Sequence, residues 1–76
     1  MDKKVLLLER IWQRTENSMA SGGDGFIFAS MLAFDVGLST RAVRGMLDSA
    51  VRCGILERKE RGVGRAHKYR TIQRIN

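Results

Sequence analysis

Apolar residues recur at helical spacing from Asp2 to about Thr15, where Val5, Leu8, Ile11, Trp12 and Thr15 share one face. Asp2 near the start and Arg14 near the end of this helix suit its dipole. Leu6 and Leu7 fall partly outside the stripe, which calls either for burial over a wide arc or for a dimer contact. The wide arc is preferred, because a small domain uses nearly every large apolar side chain; Trp12 is then expected in the core. Glu16 to Gly25 reads as a loop, with three glycines and no periodicity. Phe26-Ile27-Phe28 reads as a short strand or apolar brace entering a second helix, in which Phe34 continues the core.

The stretch from Ala29 to Asp48 organises the rest. A short apolar segment breaks at Gly37, and Ser39 then stands where a helix N-cap is wanted. Beyond it Val43, Met46, Leu47, Ala50 and Val51 form one buried stripe. Arg41, Arg44, Gly45, Asp48 and Arg52 lie opposite. Cys53-Gly54 is a helix stop, with glycine available for left-handed geometry. Leu56 to Arg61 carries few helix signals, and His67 to Ile72 contains the strand formers Tyr69, Thr71 and Ile72. Around the Gly62-Val63-Gly64 tip these two segments make a hairpin, with Arg61, Arg65 and Lys68 exposed.

Residues 29–48 resemble the helix-turn-helix of DNA-binding proteins, with that motif's small residue at Ala33 and its turn glycine at Gly37. Its apolar positions fall on Leu32, Val36, Leu38, Val43 and Met46. The physical logic is close helix crossing at alanine, positive φ at glycine and a shared apolar core. The order helix, short strand, helix, helix, hairpin resembles the winged-helix family over nearly the whole chain. Gly54, Ile55 and Leu56 take the places of a glycine and two apolar residues between recognition helix and wing. The resemblance implies a mainly α fold with a small β-hairpin, a single winged helix-turn-helix domain over 1–76. It also implies a third helix (about 39–53) in the major groove and a basic wing (about 57–72) on phosphates or the minor groove.

Charge sharpens this picture. The chain carries a net +6, divided between a net −1 over residues 1–39 and +7 over residues 40–76. A basic half beside a near-neutral half is the footprint of a polyanion binder or of a solvated basic face kept for solubility; together with the helix-turn-helix resemblance it points to nucleic acid, with double-stranded DNA the expected partner. Thr40, Arg41 and Arg44 are the candidates for base-edge contact, since arginine pairs in bidentate fashion with guanine O6 and N7. Ser39 is expected to cap the helix, its neighbouring amides facing a phosphate. Arg52, Arg58, Lys59, Arg61, Arg65, Lys68 and Arg70 are candidates for phosphate contact, with Arg65 foremost at the glycine tip. A strand points only alternate residues one way, so about half of the wing residues are bystanders. Arg44 and Arg52 could instead pair with Asp48, for only ~0.3–0.5 kcal/mol each. Gly45 faces outward, which suits close approach to a DNA backbone or simple tolerance.

Other chemistry finds little support. Gly22-Gly23-Asp24-Gly25 has no preceding strand and no Gly-Lys-Ser/Thr, so it is not a nucleotide loop. His67 stands alone and Cys53 lacks a partner, so no metal, cofactor or small-molecule ligand is expected. A single cysteine fits a reducing compartment, the cytoplasm, and no apolar run is long enough to span a bilayer. With no acid pair or nucleophile motif, the expectation is a binding module, not an enzyme. A transcriptional regulator comes first. The alternatives are a winged helix used for protein–protein interaction and an architectural or replication nucleic-acid binder, RNA included. No leucine heptad is present, so a weak dimer through the first helix, pairing on DNA, or a larger regulatory partner would have to extend the site.

Overall fold

The computed structural model describes residues 2–72. Three helices, α1 (Lys3–Ala20), α2 (Ala29–Val36) and α3 (Thr40–Arg52), combine with three short strands, β1 (Ile27–Phe28), β2 (Leu56–Lys59) and β3 (Lys68–Thr71). The strands form one antiparallel sheet in the order β1-β3-β2, so the hairpin's second strand is central and β1 is an edge. This is the mainly α architecture with a small β wing that the sequence implies, and it is compatible with a winged helix. No helix among the described residues is long and apolar enough to cross a membrane.

Helix α1 begins as expected: the Asp2 carboxylate accepts from the Lys4 amide at 2.9 Å. It then runs through Ala20, about five residues past the expected end. Glu16 to Ala20 contains no glycine or proline, and the glycines start only at Gly22. The connecting loop is therefore Ser21 to Phe26. Gly25 takes φ +83° and lies against Thr15 and Met19, where an added Cβ would come within 3.1 Å of each side chain.

The buried line on α1 is Leu7, Ile11 and Thr15, flanked by half-buried Leu6 and Leu8. Of the expected stripe Ile11 and Thr15 are buried and Leu8 half-buried, whereas Val5 is 52% and Trp12 43% exposed, so Trp12 is not a core residue. Both stripes have the period of a helix; what α1 packs against selects between them. Thr15 belongs to the core because its hydroxyl donates to the Gly25 carbonyl at 3.0 Å. Arg14 is mid-helix, away from the C-terminal dipole, and makes a bidentate pair with Asp35 of α2. Arg10 adds a contact to the same carboxylate at 3.5 Å. The Arg14 hydrogen bonds hold the Asp35 carboxyl below its ordinary range.

Helix α2 buries Ala29, Leu32, Ala33 and Val36. Phe34, expected to continue the core, points the other way and is 88% exposed. One residue of offset from Ala33 turns a side chain by about 100° around a helix, and eight residues leave no second buried face. The helix ends at Gly37 with φ +71°, and the Leu38 amide turns back to the Ala33 carbonyl at 3.1 Å. The Lys3 ammonium donates to the Val36 carbonyl at 2.7 Å, a cation at the negative end of α2. The core closes with Val43, Leu47 and Ala50 from α3, Ile27 from β1, Leu56 from β2 and Tyr69 from β3.

The position of α1 gives a direct test. Leu7→Ala should destabilise the domain by about 2–5 kcal/mol, whereas Val5→Ala should cost under about 1 kcal/mol. Urea unfolding followed by circular dichroism reads both; the reverse order would place Val5 in the core and Leu7 outside it.

Candidate nucleic-acid interface

Ser39 caps α3 through a hydrogen bond from the Ala42 amide to its hydroxyl oxygen, at 3.1 Å. The cap fixes the rotation of the helix: Val43, Leu47 and Ala50 go inward, with Met46 and Val51 partly buried beside them. Thr40, Arg41, Arg44, Gly45 and Arg52 are consequently exposed. Arg52 sits in the last turn, where its charge suits the helix dipole. Nothing lies within 4 Å of the place a Gly45 Cβ would occupy, so the middle of this face is open.

Asp48 does not pair with Arg44 or Arg52, as local spacing allowed. Its carboxylate accepts from the Tyr69 hydroxyl at 2.7 Å and from Arg58 at 3.2 Å. Tyr69 is 1% exposed and central in the sheet, opposite Ile27 on one side and Arg58 on the other. This node joins α3 to both strands of the hairpin. Burial first, and then the bond to Asp48, push the Tyr69 phenol up to about 12. The charges of Arg58 and Arg44 act in the opposite direction.

The wing residues divide between the sheet faces. Leu56, Arg58, Tyr69 and Thr71 share the inner face by alternation and register, while Glu57, Lys59, Lys68 and Arg70 share the outer face. Lys68, expected to be exposed, is half-buried with its ammonium 4.8 Å from the Phe28 ring centre. Lys59 lies 3.5 Å from the Asp24 carboxylate, and Arg70 donates to Glu57 at 2.7 Å and to the Asp24 carbonyl at 2.8 Å. Arg61 and Arg65 are exposed in the segment joining β2 to β3, beside Gly62 and Gly64 with φ +104° and +76°. Among the described residues Arg41, Arg44, Arg52, Arg61 and Arg65 make no ion pair. Thr40, Arg41 and Arg44 thus form one continuous surface on α3. Ser39 lies at its N-terminus, Arg52 at its far end, and Arg61 and Arg65 on the separate wing tip.

No family model, curated protein or solved structure matches the chain. Two features of the site were not read from the sequence: the Asp48–Tyr69 bond, which spans 21 residues, and the aromatic pair Phe26 and Phe28 on the outer sheet face. The second had a visible signal, since Phe26-x-Phe28 and Lys68-x-Arg70 both have the period of a strand.

Tyr69 makes stability pH-dependent on the alkaline side. A folded-state value above the unfolded one means that its contribution is intact below about pH 10 and is lost as pH rises towards about 12. Tyr69→Phe should lower stability at neutral pH by about 1.5 kcal/mol and flatten the decline between those limits, as read by thermal melts at stepped pH. An unchanged alkaline decline in the variant would assign it to other groups.

Proposed function

We propose that this is a winged helix-turn-helix protein that binds double-stranded DNA as a transcriptional regulator. Helix α3 enters the major groove and the basic wing lies on phosphates or in the adjacent minor groove. The observation that carries this reading is the open face of α3, where capped and unpaired side chains leave Arg41 and Arg44 free for base edges. Arg52 and the wing arginines 61 and 65 extend the same positive charge without carboxylate partners among the described residues. Arg58 has a structural share in this surface, because Asp48 holds it. Its work is to place the wing, and its phosphate contact is secondary. Such a domain acts as a binding module in the cytoplasm and needs no cofactor.

A chain of this size reads few base pairs alone. Val5, Leu8 and Trp12 line a shallow apolar strip on α1 that suits a second copy of the chain, which would double the site. The competing reading, a winged helix that binds protein, draws on Phe34 and Met31, which expose apolar surface on α2.

Fluorescence anisotropy with labelled duplex DNA over a salt series separates the two. Micromolar or tighter binding should weaken steeply with salt, and Arg65→Ala should reduce the log–log slope by about 0.9. Arg41→Ala and Arg44→Ala should each cost about 1–3 kcal/mol on a selected site and less on random sequence. Absence of duplex binding at low salt would reject this reading and favour a protein partner at Phe34.

A further inference from the structure

Apart from Arg61, which the duplex reading also uses, the outer face of the sheet with its aromatic rings plays no part in that reading. Phe26 and Phe28 stand there two residues apart, with Ile27 turned to the core between them. Both rings are half-buried, and cations cover them. Arg70 and Lys59 lie 4.4 and 5.5 Å from the Phe26 ring centre; Lys68 and Arg61 lie 4.8 and 5.0 Å from that of Phe28. Part of this is ordinary shielding of apolar surface by long side chains.

The register shows that shielding is not the whole of it. Lys59 and Lys68 are directly opposite each other in the β2–β3 ladder, and like charges at such a position destabilise a sheet. Carboxylates relieve this only in part: Lys59 has Asp24, which also feels the charge of Lys68, and Arg70 has Glu57. Arg61 and Lys68, crowded on the same Phe28 ring, have no carboxylate partner among the described residues. The face is thus short of anions and rich in aromatic surface. The groove continuing from it past β1 is lined by Arg14, Asn17 and Met31.

We propose that this face binds single-stranded nucleic acid, with Phe26 and Phe28 stacking successive bases and Lys59, Arg61, Lys68 and Arg70 meeting the phosphates. A duplex has to unstack its bases to use the rings, whereas an unpaired strand offers base faces and phosphates without that cost. An acidic peptide would satisfy the cations and leave the rings unused. On entry of a base, the cation over each ring shifts to the adjoining phosphate, so that ring and charge are both engaged. The site lies on the side of the sheet opposite the inner face that carries Arg58 and Tyr69, and it does not depend on duplex binding by α3.

The test is anisotropy of the full chain with labelled oligo-dT, oligo-rU and a duplex at fixed salt. Phe28→Ala should weaken single-strand binding about five- to a hundredfold and leave duplex affinity within about twofold. Phe28→Tyr should restore the single-strand affinity, which controls for folding. Arg41→Ala should show the opposite preference, so failure of the duplex reading is seen separately. The proposal is overturned if the wild type does not bind oligo-dT or oligo-rU. It is overturned equally if polyglutamate displaces them as well as unlabelled strand does, or if Phe28→Ala and wild type bind them alike.

Discussion

The hydrogen bond from the Tyr69 hydroxyl to Asp48 holds this small domain in a working arrangement. Tyr69 lies in the middle strand, and Asp48 is on the helix that carries Arg41 and Arg44. A buried phenol needs a partner, and a half-exposed carboxylate on α3 provides a charged one. Arg58, opposite Tyr69 on β2, closes the node from the hairpin side. One helix and two strands are thereby registered by three side chains, in a chain of 76 residues whose core has little to spare.

The same node divides the basic residues by task. Arg58 is engaged in holding the hairpin, whereas Arg61 and Arg65 beyond it have no ion pair among the described residues. On α3 the Ser39 cap and the inward stripe orient the helix, and Asp48 is drawn towards the sheet, away from its helical neighbours Arg44 and Arg52. A carboxylate that could have neutralised the exposed arginines serves the sheet instead. The positive surface of α3 is consequently a product of packing as well as of composition.

Local signals made much of this legible. Ser39 and Gly37 announce their roles through side-chain chemistry and φ alone, and both hold, as does Asp2 at the start of α1. The hairpin follows from Tyr69, Thr71 and the glycines at its tip. Rotation of a helix about its axis is a tertiary matter, and there the sequence was ambiguous: Ile11 and Thr15 belong to a regular stripe whether Val5, Leu8 and Trp12 or Leu7 completes it, and only the line through Leu7 meets α2 and the sheet. Phe34 misled because a large apolar residue inside an apolar helix is usually buried, yet the narrow inward face of α2 was already filled by alanines, Leu32 and Val36. The partners of Asp48 were out of reach because they lie 10 and 21 residues away, whereas i, i+4 pairs are what a helix sequence displays.

Amide chemical-shift mapping of the labelled protein, titrated with a short DNA duplex, tests most directly that α3 and the wing form one duplex-binding surface. The account predicts that shifts in residues 39–45 and 58–66 move together and saturate at a common affinity, while those around Phe34 stay put. Shifts centred on Phe34 and Met31, or wing and helix saturating at different affinities, would contradict it.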